Sequence, residues 1–269
     1  MDPISSLCAE IGMPEEVTKI LSETETGLPA DKEEKLISAL TDKATFKQAA
    51  DELRAALPQD EGGFKKLLLM LRAALKTRGD YAKTGIRDEI FVASMQCFSR
   101  FVKEHFESYG RYGFDRDFWV GRQLSMLLFR IGELEYELSE YEGKNAVSLH
   151  IPSDAELSPD KISASLRDAK AFFSEFYPDY ADAVMFCYSW LLSPALEKLL
   201  PANSKILAFY RRFEIRKWDE DTDGYKQWVF KDKTLAPERF PENTTLQRNM
   251  KKYVLSGGKV GEAWGILKS

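Results

Sequence analysis

Phe129-Arg130-Ile131-Gly132-Glu133-Leu134-Glu135-Tyr136-Glu137-Leu138 alternates with a period of two. A strand sends successive side chains to opposite faces. The stretch therefore predicts one extended segment with Gly132, Leu134, Tyr136 and Leu138 on one face and Glu133, Glu135 and Glu137 on the other. A turn over Glu142-Gly143-Lys144-Asn145 follows, and Val147, Leu149 and Ile151 then alternate with Ser148 and His150. Together these predict a hairpin.

Upstream the period is helical. Apolar residues recur at three- and four-residue spacing over Lys32 to Leu40, Phe46 to Leu57 and Phe64 to Leu75, with Pro29, Pro58 and Gly62-Gly63 between them. After Gly85, residues Ile86, Ile90, Phe91, Ser94, Phe98, Phe101 and His105 fall on one stripe. His105 there reads as a core or interface side chain. Asp115 is placed to cap a further helix burying Trp119, Gln123 and Met126.

Downstream, Ser158-Pro159-Asp160 is a helix start, and Ile162, Leu166, Ala169, Phe173 and Phe176 form its buried stripe. Ala183 to Leu192 reads as a buried strand, Ser193-Pro194 to Leu200 as a short helix, and Ile206 to Ile215 as a strand with Arg211 on its apolar face. Helices are expected over Tyr225 to Phe230 and from Thr244-Thr245 to Leu255, before a glycine-rich tail. The pattern is α+β: a helical block followed by a mixed sheet with helices packed on it.

At 269 residues the chain is long enough for two domains. Its longest apolar run, Ala183 to Leu192, is about half the roughly twenty residues a membrane span needs. Met1-Asp2-Pro3-Ile4 lacks the start of a secretory signal. The expected setting is cytoplasmic, with no membrane. Cys8, Cys97 and Cys187 are odd in number and widely spaced, so free thiols are expected, without disulfide or metal cluster. Residues 1 to 62 carry 14 Asp and Glu against 6 Lys and Arg, a net of −8, which against the chain's −5 leaves +3 for the remainder. That remainder suits a small anionic ligand but is too weakly basic for nucleic acid. With two histidines and no glycine-flanked serine, neither a hydrolase triad nor a zinc site is suggested.

Several short motifs then follow in order: Arg130 to Leu138, Leu149-His150-Ile151-Pro152, Ser189-Trp190-Leu191-Leu192-Ser193-Pro194, Leu200-Pro201, Ser204-Lys205-Ile206-Leu207 and Thr244-Thr245-Leu246-Gln247-Arg248. They resemble a bacterial acyltransferase-like family in which a helical N-acyltransferase N-terminal domain precedes a GNAT-like C-terminal domain. The domains expected are residues 1–119 and 120–269. The resemblance implies transfer of an acyl group from acetyl-CoA or another acyl-CoA to an amine of a small molecule or peptide. It brings Ile151, Ser153, Ser158, Asp160, Ser189, Arg211 and Arg212 forward as coenzyme A-binding candidates. This sequence departs from the usual GNAT pattern over Pro152 to Pro159, which has no glycine and carries Asp154 and Glu156. Both acids would repel phosphate unless they point away.

Register supplies the candidate chemistry. With the turn centred near Gly143, His150 lies opposite Glu135 or Glu137, and a carboxylate beside an imidazole fixes its tautomer and favours a general base. The alternative is a cross-strand ion pair on a solvated face. Tyr188, Cys187 and Ser189 are candidates for the acid that protonates the leaving thiolate, Tyr188 on the opposite face from the other two. A tyrosine packed in the core is the alternative for Tyr188. Lys205, Arg211, Arg212, Arg216 and Lys217 could meet a phosphorylated ligand or serve as a charged sheet edge. The tail glycines Gly257, Gly258, Gly261 and Gly265 suit an anion nest or a turn. Set against an enzyme is a GNAT-like module that binds a small ligand or a protein without catalysis.

Overall fold

Helices in the first half begin and end where the punctuating residues stand. The computed structural model describes residues 2–268, and the chain divides into two units, Met1–Ile131 and Gly132–Ser269. The first holds α1 (Pro3–Glu10), α2 (Glu15–Glu23), α3 (Ala30–Leu40), α4 (Phe46–Ala56), α5 (Phe64–Thr84), α6 (Asp88–Tyr109), α7 (Asp117–Leu124) and a short strand, β1 (Leu128–Ile131). Spacing does not reveal α1 and α2. Asp2 caps α1 by accepting from the Ile4 and Ser5 amides. α5 runs past Leu75 because nothing breaks it before Gly85, whose φ of +78° is the left-handed cap that glycine adopts without strain. α7 starts two residues after Asp115 and buries Val120, Gly121, Gln123 and Leu124, leaving Trp119 and Met126 half-buried.

Side chains satisfy buried backbone in this unit. Thr77 donates to the Leu124 carbonyl (2.7 Å), and the Arg130 amide donates to Ser94 Oγ (2.9 Å). Asp117, 4% exposed, lies 2.6 Å from an Arg54 nitrogen and 3.4 Å from Lys66 Nζ.

The second unit holds β2 (Leu134–Tyr141), β3 (Lys144–His150), α8 (Pro159–Phe176), β4 (Val184–Ser189), α9 (Leu196–Leu199), α10 (Lys205–Tyr210), β5 (Phe213–Asp219), α11 (Tyr225–Phe230), α12 (Thr245–Leu255) and β6 (Glu262–Leu267). Its strands run in the order β2-β3-β4-β6-β5. β3 and β4 are parallel and the other pairs antiparallel. The β2-β3 hairpin turns on Glu142 and Gly143, both at positive φ, with Tyr141 opposite Lys144. α8 lays Ile162, Ser165, Ala169, Phe172 and Phe173 on the sheet side. There Tyr136 Oη and Ser165 Oγ are 2.8 Å apart, and the Leu134 amide also donates to Ser165. Burial pushes the Tyr136 phenol up. A second core joins Leu196, Leu207, Tyr225, Phe230, Phe240 and Met250, with Phe230 stacked on Phe240 at 3.9 Å. Each such side chain contributes about 1.5–3 kcal/mol by leaving water.

Four expectations need correction. The opening alternating stretch is two strands, because Gly132 (φ +62°) and Glu133 form a turn between them. A Cβ at Gly132 would also stand 3.1 Å from Ser165 Cβ. Ala183 to Leu192 is extended only over β4 and is not buried on both faces: Val184 and Tyr188 are 43% and 45% exposed, while Cys187 is fully buried. Ile206 to Ile215 begins as helix α10, which Ser204 caps by accepting from the Ile206 amide, and becomes strand only at Phe213. Arg211 and Arg212 therefore lie after α10, before the strand. Finally, the glycine-rich tail ends in β6, inserted between β4 and β5. Gly257 follows α12, and Gly261 (φ +62°) passes so near the chain that a Cβ would lie 2.4 Å from the Asp219 carbonyl oxygen. The Gly257 and Gly258 amides donate to the Val254 and Tyr253 carbonyls and so close α12 as a turn.

The three cysteines are buried and none forms a disulfide among the described residues. Burial raises the Cys8 thiol to about 11 and pushes Cys187 further up. Among the described residues no helix is long and apolar enough to cross a membrane, and no group of His, Cys, Asp and Glu is arranged to hold a metal.

Candidate active site

β3 and β4 pair from Ala146 and Val184 as far as Ser148 and Phe186, then part. Each continues with its outer neighbour. Leu149 and His150 stay opposite Tyr136 and Glu135 on β2, whereas Cys187, Tyr188 and Ser189 stay opposite Gly265, Trp264 and Ala263 on β6. The sheet thus opens at its centre, between the C-terminal ends of two parallel strands. Ligands in sheets with parallel strands favour that position.

Side chains on one wall of the opening follow from register. His150 faces Glu135 across the ladder, but its hydrogen bond is diagonal, from Nε2 to Glu137 Oε2 at 2.8 Å. Both partners are partly open to solvent, with side chains 23% and 21% exposed. Glu135 is only 2% exposed. Because Ser148 pairs with Phe186, a step of two residues along each strand puts His150 and Tyr188 on the same face of the sheet. The four residues singled out for chemistry, Glu135, Glu137, His150 and Tyr188, therefore share a face. A hydrogen bond joins Glu137 and His150.

Tyr188 turns toward the far side of the opening, its hydroxyl 3.4 Å from Asp219 Oδ2. Partial burial and then the nearby Glu262 and Asp219 push its phenol above the ordinary value. Cys187 points to the opposite, buried face, where its thiol stays protonated. Ser189 Oγ accepts from the Leu191 amide and so starts a single turn of 3-10 helix.

The segment after β3 leads into α8. Ile151 is half-buried, and Ser153 and Asp160 are exposed. Ser158 stands at the N-cap position, but its side chain makes no capping bond. The leading amides of a helix have no partner within it and carry the positive end of its dipole. Glu156 does not face this turn with free charge: its carboxylate lies 2.7 Å from Lys161 and 3.2 Å from Lys205, which hold it down at about 2. Its amide donates to Glu133. Arg212 reaches the same turn, donating to the Pro159 carbonyl and to Ser163, both at 2.9 Å. Arg211 goes elsewhere, to the Ala202 carbonyl. Arg216 pairs with Glu214, and Lys217 with Asp219.

Sequence reasoning missed Asp219, Thr222 and Glu262. Glu262 begins β6 opposite Asp219, and burial raises its carboxyl above the ordinary range despite the Thr222 hydroxyl. A Cβ at Gly224 would stand 2.5 Å from a Glu262 oxygen, so that glycine leaves the carboxylate its place. The acidic run Asp219-Glu220-Asp221 at a strand end was the available signal.

The chain's likenesses agree with this architecture. The family model for an N-acyltransferase N-terminal domain matches residues 2–126, and that for a GNAT-like C-terminal domain matches residues 128–267. A mutant acyltransferase crystallised with octanoyl-CoA superposes with a TM-score of 0.84 at 23% identity, over 98% of this chain and 86% of that one. An acyltransferase in complex with decanoyl-CoA and teicoplanin gives 0.73 at 21% identity, over 100% and 99%. An acyltransferase with decanoyl-CoA alone gives 0.72 at 23%, over 99% of each. A search of curated proteins found no match. The protein belongs to the family in which an N-acyltransferase N-terminal domain precedes a GNAT-like C-terminal domain.

Proposed function

We propose that the protein transfers an acyl group from acyl-CoA to an amine of a small molecule or peptide. The parting of β3 from β4 beyond Ser148 and Phe186 carries this reading. Peptide groups inside a sheet need partners, and the amide-bearing pantetheine arm of coenzyme A has the donors and acceptors to bridge such an opening. Complexes of the similar acyltransferases with octanoyl-CoA and decanoyl-CoA support a donor of that class. At the phosphate end, the uncapped first turn of α8 with Arg212 beside it would hold the negative charge. Pairing of Glu156 with two lysines removes the repulsion its sequence position suggests.

With Glu137 accepting from Nε2, His150 is the candidate base beside the opening. The acceptor's amine nitrogen attacks the thioester carbonyl carbon; a C–N bond forms and the C–S bond breaks. His150 takes the amine proton, directly or through water. The Tyr188 hydroxyl supplies a proton to the leaving sulfur and is re-protonated through solvent. A tyrosine phenol is protonated at neutral pH, and the upward shift here leaves it so.

Calorimetric titration with octanoyl-CoA tests the donor, and thermal shift checks it, since a ligand of the native state must raise stability. Binding in the micromolar range, with amine-dependent thiol release, is the expected result. No binding up to about 1 mM would sink the proposal and leave a non-catalytic module.

A further inference from the structure

The face that bears His150 and Tyr188 continues away from the opening as an aromatic shelf. Tyr141, Phe186 and Trp264 come from three different strands. Their ring centroids are 4.9 Å apart for Tyr141 and Trp264, 5.7 Å for Phe186 and Trp264, and 6.3 Å for Tyr141 and Phe186. All three rings remain half-buried, and Val184 beside them is 43% exposed. Rings that serve only a core are covered; these keep contiguous apolar surface in water. Tyr188 is opposite Trp264 and two residues beyond Phe186 on the same strand, so the shelf begins about 7 Å from the candidate chemistry.

Charge on this face is uneven. Toward the opening stand Glu137, which His150 meets at 2.8 Å, Asp219, which Lys217 meets at 2.6 Å, and Glu262. The shelf is made of rings, with Lys144 opposite Tyr141 and Glu214 opposite Ile266 at its margin. A ligand complementary to both regions is a cation at one end and flat at the other.

We infer that this face is the acceptor surface, and that the acceptor is an amine joined by a short spacer to a flat ring that lies on Phe186, Trp264 and Tyr141. The inference rests on the acyl-transfer reading above and specifies the acceptor class for that same site. Aromatic stacking supplies geometry as well as apolar burial, and the carboxylates draw the protonated amine toward His150, where it must lose its proton to react.

The experiment uses the full chain, octanoyl-CoA as donor, and two amine probes: tyramine, with its ring, and hexylamine, without one. Tyramine is expected to show a KM at least about tenfold lower than hexylamine. Trp264→Ala should raise the tyramine KM about tenfold while leaving the calorimetric Kd for octanoyl-CoA within about twofold, and Trp264→Phe should restore most of the loss. Phe186→Leu serves as a second variant if Trp264→Ala does not fold. Octanoyl-CoA binding with equal use of both amines, or a tyramine KM indifferent to the shelf variants, overturns this inference and leaves acyl transfer standing. Failure of the wild-type protein to bind octanoyl-CoA overturns both. Sedimentation of wild type as a dimer and of Trp264→Ala as a monomer, with unchanged amine kinetics, would assign the shelf to a second copy of the chain and also overturn it.

Discussion

Asp117 and Glu137 are both carboxylates with a nitrogen base beside them, and they are built differently. Asp117 is almost sealed, with Arg54 and Lys66 reaching it from two other helices. Glu137 holds one imidazole at 2.8 Å on a sheet face where both groups are about a fifth exposed. A sealed carboxylate met by permanently charged groups can only hold the fold together, since its protonation would strand both cations. A carboxylate that touches a titratable ring at the mouth of an opening can orient that ring and pass protons through it. Enclosure and the kind of partner, more than distance, separate the two.

The largest effect expected falls on the open pair. His150→Ala should lower turnover with octanoyl-CoA and an amine about 100- to 10,000-fold, while urea unfolding shifts by less than about 1 kcal/mol. Undiminished turnover in a folded variant would reduce the pair to a surface contact and erase the contrast. Asp117→Ala should do the reverse, costing about 3 kcal/mol in urea unfolding with octanoyl-CoA affinity unchanged in the folded protein. Ser165→Ala probes a buried contact without charge: it strands the Tyr136 hydroxyl and a hydrogen bond of the Leu134 amide, for about 1–2 kcal/mol.

The smallest effect belongs to Glu156, an exposed pair at the other end of the scale. Lys161, then Lys205, hold its carboxyl at about 2 in the folded protein, below the ordinary glutamate value of 4.5. A depressed pKa means the ionised form favours the fold. Its contribution is present above about pH 4.5 and lost as pH falls through about 2. Glu156→Gln should flatten the stability profile across that window, and added salt should shrink the difference between the two proteins.

The hairpin was legible because period two is a local signal, and Glu142-Gly143 fixes which residues face each other. His150 beside a glutamate followed from that register. Which glutamate did not, since the diagonal bond to Glu137 depends on side-chain reach. Tyr188 could be placed on a face only after the parallel register of β3 and β4 was known, and parallel pairing leaves no mark in sequence. Asp219 and Glu262 are 43 residues apart and meet only because β6 pairs with β5. β6 itself was hidden by Gly261 and Gly265, which read as turn. Gly265 sits in the strand where a Cβ would come within 3.2 Å of the Glu214 carbonyl oxygen, so close backbone approach excludes a larger residue. The misreading of Ile206 to Ile215 has a similar source: Leu207, Phe209, Phe213 and Ile215 suit a strand by alternation, and only the Ser204 cap argues otherwise.

The place of β6 also bears on how the protein folds. It completes the sheet between β4 and β5, pairing Ile266 with Phe186 across 80 positions of chain. Until it arrives, β4 and β5 each expose a raw edge of amide and carbonyl groups, a template for strands of other molecules. Contacts between positions so distant in sequence form slowly, because the loop between them must close first. Seating of this one strand therefore stands as the slow, aggregation-exposed step, and amide hydrogens of β4, β5 and β6 should acquire exchange protection together, after the helices that flank them.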